Sequence, residues 1–175
     1  YNIDSTIAYA YKKISLAESL DNDELIRDAV LDLADRYAMS GIYDAILSLF
    51  DEYDYDWTEE PRYLSIMNTV YSNLAKSSND TILAIKYTGR KEEYQQKMLS
   101  NLDEDDIGRI FIRTDILLEN NKAQEVLDLL VPWVEGNDPS LEDQGVIYYT
   151  MARAYSMLGD DENAIIWYAR SAQSD

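Results

Sequence analysis

Apolar residues recur every three to four positions along most of this chain. That spacing puts one apolar stripe on a helix and gives no reason to expect a sheet. Residues 5–20 carry Ile7, Ala10, Tyr11, Ile14 and Ala17 on one face, and Asp21-Asn22-Asp23 ends the run. Residues 24–39 repeat the pattern with Ile26, Val30, Leu33, Ala34 and Tyr37, and Ser40-Gly41 closes it with a residue suited to a left-handed cap. A shorter helix is expected over 43–50, followed by an acidic loop over 51–60. Pro61 then suits the first turn of a helix reaching about Lys76, with Leu64, Met67, Val70, Tyr71 and Leu74 on its inner face. Residues 81–100 are helical in pattern, although Gly89 argues against one unbroken helix. After a second acidic break at 101–106, Asp103 has the chemistry of an N-cap. Ile110, Ile112, Ile116 and Leu117 mark the next helix, and Asn120-Asn121 its turn. Val126, Leu127, Leu130 and Trp133 mark its partner, which Pro132 should interrupt or kink. Beyond a loop at 136–139, Ser140 and Asp143 have capping-box spacing. Two last helices are expected over 141–158 and 161–173, with Gly159 between them. The pattern therefore predicts about nine helices and no strand, linker or internal domain boundary.

The helices repeat. Tyr37 and Tyr71 lie 34 residues apart, and Val30 with Leu64 and Leu33 with Met67 keep the same offset. That is the period of tetratricopeptide repeats (TPRs), helix-turn-helix units that stack into an α-solenoid. The last pair carries the pattern most fully, with Tyr148, Ala152, Tyr155, Gly159, Ala164 and Tyr168 at its landmark places. Ala152 and Ala164 let the two helices approach, and the tyrosines fill the space around the contact. The other units depart from the pattern. Ala45 comes one position early after the first turn, the second turn lacks Gly, and Leu117, Asn121 and Val126 hold the third unit's landmarks. The steps from Tyr71 to Leu117 and from Leu117 to Tyr155, 46 and 38 residues, mark 81–100 as an insertion or an extended second helix. The expected fold is all-α: a TPR-like α-solenoid of antiparallel helix pairs. Residues 1–175 would form a single repeat domain. The chain opens on a second helix and ends without a polar capping helix, as a fragment of a longer array does.

Longer segments resemble a known family. DSTIAYAYKKISLAESLDNDELIRDAVLDLADRYAMSGIY, YLSIMNTVYSNLA, EEYQQKMLSNLDEDD, DILLENNKAQEVLDLLVPWVEG and MARAYSMLGDDENAIIWYARSAQSD follow the order and spacing of a Bacteroidetes family of membrane-anchored TPR proteins. In that family the repeats lie outside the cytoplasmic membrane, behind a signal peptide. Further repeats, one membrane span, a coiled coil and a C-terminal helix-turn-helix-like region follow. The resemblance implies the extracytoplasmic, periplasmic sensor part of a transcriptional regulator, anchored through segments absent from this chain. It carries over no catalytic or ligand residues.

Composition narrows the function. The net charge of −19 opposes direct nucleic-acid binding, which draws its affinity from Lys and Arg on phosphates. A basic peptide, a cation or a neutral ligand is compatible with it. With no Cys and no His, thiolate sites, Cys nucleophiles and the commonest general base are missing. No apolar run reaches the ~18–20 residues of a membrane helix. Asp54, Asp56, Glu59 and Glu60 have the chemistry of calcium ligands. Counted from Asp54, however, the Gly and Glu places of an EF-hand loop hold Glu59 and Ser65. No phosphate loop and no paired carboxylates of defined geometry are legible, so no enzyme activity, cofactor or metal is expected.

Binding is the remaining class. The first helices of TPR pairs line the concave face. There the register places Leu31, Asp35 and Met39, then Arg62, Ser65, Thr69 and Asn73, then Phe111, Asp115 and Glu119, then Tyr149, Arg153 and Met157. A face of mixed polarity suits an extended peptide or a partner helix. Most of the fifteen Tyr and three Trp are expected in the core, with Tyr55 and Trp57 of the acidic loop as the exposed exceptions. A protein or peptide partner is the first expectation. The alternatives are a passive interaction scaffold and a glycan-binding outer-membrane lipoprotein component.

Overall fold

The structure, a computed structural model, describes residues 3–104, 106–136 and 141–174. Among them every regular element is a helix. The chain divides into two compact units, Tyr1–Asn101 and Leu102–Asp175. The first holds α1 (Ile3–Ser19), α2 (Asp23–Ser40), α3 (Tyr43–Glu52), α4 (Pro61–Ser77) and α5 (Thr81–Ser100). The second holds α6 (Ile107–Glu119), α7 (Ala123–Gly136), α8 (Leu141–Met157) and α9 (Asp161–Ser171). These are the antiparallel pairs that the repeat spacing predicts.

Local chemistry sets the helix ends. Asn22 accepts the Leu25 N–H at 3.1 Å, and Asp80 accepts those of Ile82 at 2.8 Å and Leu83 at 3.1 Å. Each satisfies donors that the first turn leaves free. Gly41 and Gly159 end α2 and α8 at φ +73° and +76°, a region that costs a residue with a Cβ. Three expectations need correction. The cap of α6 is Asp106, whose carboxylate accepts the Gly108 N–H at 2.7 Å; Asp103 lies a turn upstream of it. The segment 81–100 is one helix, since Gly89 costs too little to break it. Pro132 does not interrupt α7. The carbonyl it deprives of a donor belongs to Asp128, an exposed residue that water can reach. The capping pair Ser140/Asp143 falls partly outside the described residues.

In the first unit Val30, Leu33, Ala34, Ile46, Met67 and Val70 are among the residues of one core. Trp57 belongs to that core too and is only 5% exposed, which corrects its assignment to the solvent. Its ring meets Phe50 edge-on at 5.2 Å, and its indole N–H donates to the Tyr53 carbonyl at 3.1 Å. Tyr55 packs against the same cluster, edge-on to Trp57 at 5.4 Å, and its hydroxyl donates to Asp23 at 3.1 Å. The acidic residues around the pair stay in water while the aromatic rings turn inward. The second unit closes over Val126, Leu130, Ile147, Met151 and Ala154. Ala152 and Ala164 are buried, as a close helix contact requires.

Leu33 has no exposed surface. Leu33→Ala is expected to cost the first unit about 2–5 kcal/mol, the usual range for a buried leucine. Urea unfolding followed on Trp57, with Trp133 and Trp167 replaced by Phe, measures it.

Candidate functional site

On α2 the carboxylates Asp28, Asp32 and Asp35 follow one another at i, i+4 and i+7 and so share a face. Two cations from neighbouring helices meet them. Arg62, in the first turn of α4, donates from Nη1 to Asp28 at 2.9 Å, and from Nη2 to Asp32 at 2.7 Å and Asp35 at 2.9 Å. Lys13 of α1 donates to Asp28 at 2.6 Å and also to Asp32. The guanidinium reaches three carboxylates from two nitrogens held in one rigid plane, whereas the Lys13 ammonium reaches two from a single point charge. Asp32 sits between both cations. Burial alone would raise its pKa, but the hydrogen bonds from Lys13 and Arg62 outweigh that and hold it below the usual value. Hydrogen bonds to Asp28 and Asp32 raise the pKa of Lys13. For Arg62, burial acts downward, and the bonds to Asp32 and Asp35 prevail and raise it. These side chains remain a third to a half exposed. Each pair is therefore weak singly, and the value of the set is the register it imposes on α1, α2 and α4.

Beyond Asp35, toward the C-terminal end of α2, a groove of about 350 Å³ opens between α2 and α4. Asp35, Ala38 and Met39 line it from α2, and Ser65, Ile66, Thr69 and Asn73 from α4. Ile66 is buried and gives an apolar floor, whereas Met39 stands free on the rim. Ser65, Thr69 and Asn73 form a row of donors and acceptors at helical spacing. The arrangement offers one carboxylate, a polarizable thioether and a row of neutral hydrogen-bonding groups. It can hold peptide groups and an aliphatic or cationic side chain. It contains no nucleophile paired with a base.

Of the residues the repeat register singled out, Asp35, Met39, Ser65, Thr69 and Asn73 line this one groove, and Arg62 closes its end through Asp35. Leu31 is a correction: it is a core residue, 4% exposed, with no surface to offer a ligand. In the second unit Phe111 packs on the core, while Asp115 and Glu119 are exposed but engaged with other groups. Tyr149 and Met157 are exposed, and the Arg153 guanidinium lies 5.9 Å from the centre of the Tyr149 ring. An open groove of about 660 Å³ in that unit is lined instead by α7 and the end of α8, including Leu127, Val131, Pro132, Tyr155 and Leu158. Sequence reasoning missed Lys13, Asp28, Asp32, Ala38 and Ile66. The i, i+4, i+7 spacing of the three aspartates was a usable signal. Among the described residues no cluster of three or more acidic, His or Cys side chains is arranged to hold a metal ion. None of their helices is long and apolar enough to cross a membrane.

Comparison with known proteins places the chain. The family described as SusR N-terminal TPR domain matches residues 1–175, and the chain belongs to it. No curated protein and no solved structure matches. TPR domains are generally non-catalytic modules that mediate protein–protein interactions.

The charge network has a pH signature. Asp32 has a depressed pKa when folded, so its contribution is present above the unfolded value of about 3.9 and is lost as pH falls through the folded one. Acidification also relieves the repulsion of a chain at −19, so the readout is a difference between variants. Wild type should exceed Asp32→Asn by at most about 1 kcal/mol at pH 7. The gap should shrink toward zero below about pH 4 in paired urea titrations.

Proposed function

We propose that this member of the SusR N-terminal TPR domain family is the sensor part of a membrane-anchored transcriptional regulator. It lies on the extracytoplasmic side and holds an extended peptide or protein segment in the groove between α2 and α4. The observation that carries the reading is the convergence of Asp35, Met39, Ser65, Thr69 and Asn73 on one groove. They come from two successive first helices, so a ligand there touches two repeats at once. A ligand that prefers one spacing of α2 and α4 shifts the population toward it, by as much as its affinities for the two spacings differ. The Lys13–aspartate–Arg62 network spans the same helices and sets the resting spacing. The strongly negative charge disfavours anionic ligands and fits a neutral or basic segment.

Two measurements test this. Reading the intact frame should reveal a signal peptide before Tyr1, and a membrane span with a helix-turn-helix after Asp175. A frame that ends near Asp175 without a span contradicts the regulator. For the groove, dodecapeptides selected on the wild-type chain from a displayed random library should lose at least about tenfold in affinity for Thr69→Trp, whose indole occupies the groove. Thr69 is exposed, so the fold should persist. Unchanged affinity for that variant contradicts the groove.

A further inference from the structure

The groove of about 660 Å³ in the second unit lies where the repeat has lost bulk and gained acid. Two residues before the second-helix landmark Ala45, and two and five after it, stand Tyr43, Leu47 and Phe50, all packed in or on the core of the first unit. The same places around Val126 hold Gln124, Asp128 and Val131. Five residues after the first-helix landmark Tyr71 stands Lys76, and five after Tyr155 stands Asp160. All of these replacing residues line the groove. Leu127 is buried and gives it an apolar floor, Val131 and Tyr155 are half-buried, and Pro132 and Leu158 stand exposed at the rim. Helices α7 and α8 already pack on each other, Leu127 and Leu130 with Ile147 and Met151, so the groove lies inside the stack of helices and not at its end.

Charge and hydrogen bonding select the occupant. The lining includes a carboxylate from each side, Asp128 of α7 and Asp160 after α8, and no Lys or Arg. Asp128 accepts from the Gln124 amide at 2.9 Å through one of its oxygens, and Asp160 caps α9 by accepting the Asn163 N–H at 3.1 Å. A carboxylate has room for further donors. Pro132 adds an acceptor, since its ring nitrogen leaves the Asp128 carbonyl without a helical donor. We infer that this groove binds an exposed segment of a partner protein that carries an aromatic side chain beside an arginine. The ring takes up the kind of volume that Tyr43 and Phe50 fill in the first unit. The guanidinium, whose donors lie in one rigid plane, meets the carboxylate and the carbonyl of Asp128. An acidic segment, or a second copy of a chain at −19, would set like charges against each other here.

The probe is N-acetyl-phenylalanyl-arginine amide, titrated into the labelled 175-residue chain and followed by amide NMR. Saturable shift changes are expected at 124–132 and 155–160, with an affinity at least about tenfold above that of the phenylalanyl-glutamate analogue. Val131→Phe, which restores the ring that α3 carries at Phe50, should weaken binding by a similar factor. So should Gln124→Tyr, a change at an exposed position that leaves the core intact. Asp128→Lys should remove the preference for arginine over glutamate with the helical circular dichroism unchanged. Thr69→Trp should leave the titration as it is, because that indole fills the other groove. The proposal is overturned if the arginine dipeptide gives no saturable changes at millimolar concentration, if the glutamate analogue binds equally, or if neither filling variant weakens binding. It is also overturned if the changes fall on 35–39 and 65–73 instead.

Discussion

The first unit depends on α2 being buried on three sides. Ala29, Val30, Leu31, Leu33, Ala34 and Tyr37 cover rather more than half the circumference of one helix, and such a helix needs neighbours on several sides. Helices α1, α3 and α4 supply them. The strip left over is acidic, and its three carboxylates would repel one another beside a dry core. Lys13 and Arg62 resolve that conflict from the helices on either side. Burial therefore brings the helices together, and the charges fix how they slide along one another.

The groove is a consequence of the same arrangement. Near the start of α4 the side chain of Arg62 reaches across to α2 and closes the gap. One turn on, small and polar residues, Ser65 and Thr69, stand where a longer apolar chain would have filled the space. Ile66 below them keeps the helices joined through the core. A cleft with an apolar floor and polar walls remains, and that is the composition expected of a site for an extended segment.

Much of this was legible in the sequence. The helix boundaries follow the apolar period, and the shared offsets of Tyr37/Tyr71 and Leu33/Met67 carried the repeat and its concave register. Five positions of that register, Asp35, Met39, Ser65, Thr69 and Asn73, line the groove between α2 and α4. What stayed hidden depends on partners distant in the chain. Trp57 sits in an acidic loop and reads as solvent-facing, yet its indole finds Phe50 and the Tyr53 carbonyl. The spacing of Asp28, Asp32 and Asp35 puts them on one face, but their partners Lys13 and Arg62 lie on other helices, distant in the chain. Pro132 reads as an interruption or a kink; that α7 runs on through it depends on the exposure of Asp128, which is a property of the packed unit. Leu31 falls in the concave register by position but lies one residue too deep, under α4.

A ligand groove between α2 and α4 is tested most directly by amide NMR of the labelled chain while a selected peptide is titrated in. The largest shift changes should fall on 35–39 and 65–73, with smaller ones at Lys13 and Asp32 as the network adjusts. Changes confined to other surfaces, such as the acidic loop at 51–60 or the outer face of α5, would contradict it.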